Sequence, residues 1–430
     1  MRPGVGGCMS PEKLVELTAP MTTYLLHNAA LIDGTGAAPV PDAAVLIDGD
    51  RISWAGAAAD AAPPADAVRV DLGGNTICPG FFDCHVHFGL PGSSGSPLEK
   101  ALKPPSYGYF ELIERLRVTV CNGVTTARDL MGIDTGVREA VAAGLIEGPR
   151  LLVAINMLSQ SGGHADFHLP SGIDLGGLIG AYLVDSVDAA RKRARELLRA
   201  GADVIKVASS GGVSSPNDDP TWLGMRREMI AGIVEEAHNY GGRPVAAHAI
   251  GYAGIKAAVE AGVHSIEHGY ALDDDLRQQM VAQGTFLVPT LLETMSPVTA
   301  TAQGAAKSAK WHALAHDSIA ASAAAGIRIA VGTDAGLSPD HGTNLKELGL
   351  LVKFGGLTPL QAIVAGTLTS AQLCGVGDKL GSVQQGKTAD LVVVQGDPLT
   401  DIDRLGDPAN ILLVVKDGRT VGNRGGFAVR

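Results

Sequence analysis

FFDCHVHF, residues Phe81 to Phe88, is a short apolar run that follows Pro79-Gly80 and carries two histidines two positions apart. A run of this length, rich in Phe and Val and bounded by Pro and Gly, reads as a buried strand. In a strand, residues i and i+2 face the same side, so His85 and His87 can both bind one cation. Four further runs carry a polar side chain near their downstream end: Lys206 in ADVIKVASS, His248 in VAAHAIG, His268 in SIEHG and Asp334 in IAVGTDAG. Parallel barrels place their chemistry at the strand C-termini. The spacing therefore predicts one metal centre built from distant parts of a barrel.

Between Cys78 and Gly375 strand-like and helix-like segments alternate, the pattern of an α/β fold. The candidate strands are Phe81–Phe88, Val124–Leu130, Arg150–Leu158, Val204–Ser210, Val245–Ala249, Ser265–Gly269, Phe286–Leu291 and Ile329–Gly336. Their number is that of a (β/α)8 TIM barrel. Helical periodicity fills the gaps, as in DAARKRARELLRAG, and Gly201, Gly241 and Gly326 stand where helix C-caps are expected. Three connections, 89–110, 159–182 and 211–225, are long enough to form the rim and lid of a pocket.

Both chain ends have a different texture. YLLHNAALIDGTG, DAAVLIDGDRISWAG and AVRVDLGG near the start, and GSVQQGKTADLVVVQGDP and ILLVVKDGRTV near the end, read as short strands with turn signals. Asp48-Gly49 favours a tight hairpin. The simplest organisation is a discontinuous β-sandwich domain, 22–77 plus 376–430, around a barrel spanning 78–375. Residues 1–21 lack the apolar core of a signal peptide and read as a disordered extension, with Met21 an alternative start.

The net charge of −11 and the absence of a Lys/Arg-rich face argue against nucleic acid or an anionic membrane as partner. A small molecule or a peptide fits better. Five scattered cysteines, without CxxC spacing, suit a reducing, cytoplasmic setting, and no apolar stretch is long enough for a membrane span. Cys84 alternates with His85 and His87, so it is expected to pack in the core.

Lys206 is the unusual member of the set. A charged ammonium inside the run VIKVA is costly to bury. Either it finds an ion pair, or the neutral amine combines with carbon dioxide to give a carbamate that can bridge two divalent cations.

Taken together, PGFFDCHVHF, IKV, AAHAIG, SIEHG and GTDAG occur in an order that resembles the amidohydrolase superfamily. SGGHAD, HAIGYAG, SIEHG and GTDAG with HGTNLKEL are similar to its imidazolonepropionase-related branch, which includes Xaa-Pro dipeptidases, carboxypeptidases acting on small N-acyl amino acids, and ochratoxin-hydrolysing amidases. The resemblance implies two metal ions, zinc by default with manganese or cobalt as substitutes. One is expected on His85, His87 and Asp334, the other on His248 and His268, with carboxylated Lys206 across both. It implies attack by a metal-bridging hydroxide on an amide carbonyl, with Asp334 moving the proton to the departing amine. His164 in SGGHAD is expected to donate to the carbonyl or oxyanion, Tyr252 to hold a substrate carboxylate, and His341 to line the pocket. Relatives of this kind are often homo-oligomers.

The expected substrate is a small N-acyl amino acid or dipeptide with an apolar leaving residue such as Phe, Leu or Pro. The alternative is a cyclic-amide hydrolase of the imidazolonepropionase or hydantoinase type. A mononuclear deaminase would need an acidic proton shuttle soon after His248, where Ala-Ile-Gly stands instead. A non-catalytic scaffold of the same fold need not keep all six ligand positions. Arg128 and Asp129 are expected to pair with each other near the site, and His27, His238, His264, His312 and His316 are given no role.

Overall fold

The computed structural model describes residues 22–90, 102–168, 171–172, 181–213, 218–295, 302–337 and 340–429. The expected extension at 1–21 lies outside the described residues, as do parts of the three expected rim loops.

Both chain ends contribute to one seven-stranded sheet. From the N-terminal side come β1 (Thr23–Leu31), β2 (Val40–Asp48), β3 (Arg51–Ala57) and β4 (Val68–Pro79). The C-terminal side supplies β14 (Leu391–Val394), β15 (Ile411–Lys416) and β16 (Arg419–Asn423), and the spatial order is β16-β15-β14-β4-β1-β2-β3. Leu391 to Val394 are all buried, as an unbroken apolar run flanked by two strands must be. The Asp48–Arg51 hairpin turns at Gly49, whose φ of 58° suits a tight loop. At the far edge, Ile52 exchanges backbone bonds with the segment leading into β14: Ile52 N–H reaches Lys387 O at 2.9 Å and Gly386 N–H reaches Ile52 O at 2.8 Å. The strands expected as a sandwich are thus hydrogen-bonded as a single sheet that folds over its own apolar face, around Leu26, Val45, Ile52, Ile77, Val393 and Leu413.

The body between them is built on parallel strands: β5 (Phe81–Val86), β6 (Val124–Asp129), β7 (Arg150–Val153), β8 (Met157–Ser159), β10 (Ile205–Ala208), β11 (Val245–Ala249), β12 (Ser265–His268) and β13 (Phe286–Val288). A two-residue strand, β9 (Tyr182–Leu183), flanks β8. Two predicted strands differ in detail. The third is split into β7 and β8 at Ile155, whose φ of 69° breaks extended geometry. Both halves remain joined to the fourth strand, through Asp203 N–H to Val153 O at 2.9 Å and through the β8–β10 ladder.

The eighth predicted strand, Ile329–Gly336, makes isolated parallel bridges in place of a ladder, Leu287 to Ile329 and Val86 to Ala335. Asp334 has a φ of 61°, which turns the chain out of register there. Backbone bonds nevertheless join this segment to both neighbours: Ala330 N–H to Leu287 O at 2.9 Å, Cys84 N–H to Val331 O at 2.7 Å and His87 N–H to Ala335 O at 2.8 Å. The resulting circuit is consistent with a (β/α)8 barrel.

Helices follow the strands: α1 (Pro105–Cys121), α2 (Thr135–Ala142), α3 (Val187–Arg199), α4 (Arg227–Asn239), α5 (Tyr252–Glu260), α6 (Asp274–Gln283), α7 (Leu291–Thr294) and α8 (Ala302–Ala324). α3 shows why they form where they do. The Ser186 hydroxyl accepts from Ala189 N–H, a cap worth about 1 kcal/mol, and Ala190, Ala194, Leu197 and Leu198 form the buried stripe. Just beyond the helix, Gly201 takes the left-handed φ of 89° that ends it. Among the described residues no helix is long and apolar enough to cross a membrane.

Candidate metal centre

The first and eighth strands meet around Asp83. Its Oδ1 accepts from His85 N–H at 3.1 Å and its Oδ2 from Thr333 Oγ1 at 2.6 Å and Asn344 Nδ2 at 2.7 Å. This fixes the backbone on which His85, His87 and Asp334 sit. Asp334 Oδ1 then lies 3.0 Å from His87 Nε2 and 3.5 Å from His85 Nε2. All three side chains are buried.

Lys206 rises from β10 into the same space, with Nζ 3.4 Å from His85 Nε2. It is 2% exposed, and burial brings its ammonium down to about 8 although Glu267 and Asp334 oppose the shift. A neutral amine is therefore within easy reach. His248 and His268 come from the next two strands, with ring centroids 4.6 Å apart, and the His268 ring is 5.1 Å from that of His85. Ligand atoms of His85, His268 and Asp334 all lie within 4.8 Å of one another, an arrangement that can hold a metal ion. All six expected ligand side chains are thus buried at neighbouring strand ends.

Each imidazole is tied to a protein acceptor through one nitrogen. His87 Nδ1 is 2.9 Å from Met131 O, His248 Nε2 is 3.2 Å from Gly211 O, and His268 Nδ1 is 2.7 Å from Thr290 Oγ1. His85 Nδ1 is 3.0 Å from Glu267 Oε2, a close approach outside hydrogen-bond geometry. The opposite nitrogens of His85 and His87 turn toward Asp334 and Lys206; an acceptor behind the ring is how metal-binding histidines are oriented. Burial pushes His85 and His248 well below the ordinary histidine range and His268 down to about 3, so these rings are held neutral, as ligation requires.

Glu267 is the residue that sequence reasoning missed. It is fully buried, and its Oε1 accepts from Ser265 Oγ at 2.5 Å and Arg128 Nη2 at 2.9 Å. Arg128 also donates to Cys84 O at 2.6 Å. The expected Arg128–Asp129 pair is therefore corrected: strand neighbours face opposite sides, and Asp129 instead accepts from Phe88 N–H at 2.7 Å. Cys84 points into the core, as expected, with its sulfur 3.9 Å from that of Cys374.

The three expected substrate contacts are placed differently from one another. His164 is buried and stacks on His248 with centroids 4.0 Å apart and planes 13° apart. Tyr252, the first residue of α5 after β11, is 45% exposed. His341 packs on Phe88 with centroids 5.0 Å apart, and its Nε2 lies 3.2 Å from Leu90 O. One side of its ring is thus already engaged.

The sequence profile of the Amidohydrolase family matches residues 76–421. Ochratoxinase of Aspergillus niger is 34% identical across 432 aligned positions, covering 92% of this chain and 86% of the relative. Its crystal structure superposes with a TM-score of 0.84 at 30% identity, covering 94% of this chain and 96% of that one. A prolidase crystallised with N-methylphosphonate-L-proline superposes with a TM-score of 0.85 at 30% identity, covering 94% of this chain and all (100%) of that one. Imidazolonepropionase of Cereibacter sphaeroides is 29% identical over 92% of this chain and 98% of its own length.

Proposed function

This chain belongs to the amidohydrolase family, and we propose that it is a binuclear metal-dependent hydrolase of an amide or peptide bond in a small N-acyl amino acid or dipeptide. The observation that carries this reading is the set of four imidazoles, each with one nitrogen facing a protein acceptor, gathered around a buried lysine and aspartate. On this reading His85, His87 and Asp334 would hold one cation and His248 and His268 the other, with Lys206 available to both as a carbamate. When bound, such ions, zinc by ligand type, would supply Lewis-acid activation of a water and of the scissile carbonyl.

The chain's own groups do the rest. Asp334 accepts the proton of the attacking water and passes it to the departing amine, the general acid–base step. Its Oδ1 is buried between two histidines, 3.0 Å from His87 Nε2 and 3.5 Å from His85 Nε2. His164, stacked on His248, donates to the carbonyl oxygen as negative charge develops there. Tyr252 at the rim holds the substrate carboxylate, and His341 closes one wall of the pocket. The barrel, 78–375, carries the reaction, and 22–77 with 376–430 form the supporting domain.

Similarity to ochratoxinase and to prolidase structures supports a linear substrate with an apolar or proline C-terminal residue. The test is a panel of N-acyl-phenylalanine, -leucine and -proline, Xaa-Pro dipeptides and cyclic amides, read with metal content. Two divalent cations per chain and release of the free amino acid are expected. Fewer than one cation per chain in protein purified without chelator would overturn the binuclear reading, and turnover of the cyclic amides alone would move the substrate to ring opening.

A further inference from the structure

The loop after β10 carries a buried carboxylate, Asp218, for which the proposed reaction has no use. Its Oδ2 accepts from Gly212 N–H at 3.0 Å and lies 3.5 Å from His164 Nδ1. Its Oδ1 is buried without a hydrogen-bond partner among the described residues. Beside it stands Lys307 of α8. Lys307 Nζ donates to Gly212 O at 3.0 Å and to Asp218 O at 2.9 Å, and stands 3.8 Å from Asp218 Oδ1. The lysine thus staples together residues 212 and 218 and partly compensates the buried negative charge.

Gly212 completes the arrangement. A Cβ at this position would lie 2.2 Å from His164 Nδ1, so the imidazole occupies the space that a side chain would need. The same stretch touches the metal-site side of the pocket, since the Gly211 carbonyl faces His248 Nε2. His164 is therefore bounded by three groups at once: the bare Cα of Gly212, the carboxylate of Asp218, and the His248 ring on which it stacks. Asp218 therefore serves the loop, through Gly212 N–H, and the ring, through its approach to His164 Nδ1, at the same time.

We propose that Asp218, anchored by Lys307, is a positioning residue that fixes the His164 ring over His248, with the ring edge opposite Nδ1 presented to the scissile carbonyl. This rests on the reading of His164 as a substrate contact. Preorganised donors gain their effect from fixed orientation, so loosening the ring should lower turnover more than binding.

The test uses the zinc-loaded full chain with N-acetyl-L-phenylalanine as probe, and circular dichroism to confirm folding of each variant. His164→Asn is expected to lower kcat about 100-fold, and Asp218→Asn about 10-fold with KM changed less than about threefold. The double variant should be no slower than His164→Asn alone. Lys307→Arg should retain activity where Lys307→Met loses it. A second readout needs no turnover: carbethoxylation by diethyl pyrocarbonate, mapped by mass spectrometry, should become faster at His164 in Asp218→Asn while His341 and His312 keep their rates. If His164→Asn leaves kcat unchanged, the reading of His164 fails, and the carbethoxylation still decides whether Asp218 holds the ring. If His164→Asn is slow and Asp218→Asn is either fully active or additive with it, the positioning role is overturned. Unchanged labelling of His164 in Asp218→Asn overturns it as well.

Discussion

Arg128 and Glu267 form an ion pair sealed inside the barrel beneath the histidines, with Nη2 2.9 Å from Oε1 and the side chains 1% and 0% exposed. Such a pair contributes little net stability against an apolar substitute, whereas removing one partner strands the other charge at a cost of about 3–5 kcal/mol. Arg128→Met is therefore expected to lower unfolding free energy by about that amount, measured from the guanidinium midpoint. Arg128→Met combined with Glu267→Leu should recover much of the loss. A single variant within about 1 kcal/mol of the parent would show that the pair does not govern stability.

Glu267 also faces Nδ1 of His85. A carboxylate behind a metal-binding imidazole fixes its orientation and raises its basicity, and losing one typically costs 10- to 100-fold in metal affinity. Glu267→Gln keeps the volume and an oxygen that can accept from Arg128, so it should fold with a lower unfolding free energy, and it should release metal about 10-fold more readily to a competing chelator. Unchanged chelator competition would remove Glu267 from the metal's support.

If Lys206 bridges as a carbamate, its loss should be seen in metal content before anything else. Lys206→Ala is expected to bind one divalent cation or fewer where the parent binds two, and added bicarbonate should not restore the second. A 2% exposed lysine brought down to about 8 gives up its proton more readily than a free lysine, as carbamate formation requires. Atomic emission on the purified protein gives the count, and an unaltered count would exclude the bridging role.

Gly332 illustrates how closely the eighth strand packs on the first. A Cβ there would stand 2.4 Å from Val288 Cγ1 and 2.8 Å from His85 Cβ, and the Val288 methyl can yield more readily than the His85 backbone 3.0 Å away. Gly332→Ala is expected to displace His85, lowering both metal occupancy and the thermal midpoint. Overpacking of this kind costs about 1–3 kcal/mol. Calorimetry together with metal analysis checks it, and full occupancy at an unchanged midpoint would contradict the packing argument.

The gathering of the six expected ligand side chains was legible in the sequence because most of them obey strand alternation or stand at the end of a recognisable apolar run. His85 and His87 are the clear case. Glu267 was not legible, since alternation puts it on the face opposite to His268 and so away from the site. In the structure Ser265 and Glu267 face the barrel interior together, and His268 returns its ring to the mouth by taking a φ of 72°. Asp334 does the same at 61°. The broken third and eighth strands have the same cause, since residues with positive φ at Ile155 and Asp334 follow no propensity that a single sequence reveals. Pairings such as Arg128 with Glu267, 139 positions apart, depend on closure of the whole barrel.

His264 gives a pH dependence that can be separated from the metal site. It precedes β12, is half-buried against Phe286, and its Nδ1 has no hydrogen-bond partner among the described residues. Burial, aided by the charges of Arg128 and Arg328, brings it from 6.5 down to about 4. The unfolded chain therefore takes up a proton between about pH 6.5 and pH 4 that the folded chain refuses. Stability must fall as the pH is lowered through that window and level off below it. The contribution is roughly 2 kcal/mol after allowance for partial exposure. His264→Gln cannot take up that proton, so its urea-unfolding free energy should drop less between pH 7.5 and pH 4.5 than that of the parent, by about this amount. Parallel curves for the two proteins would place the acid sensitivity elsewhere.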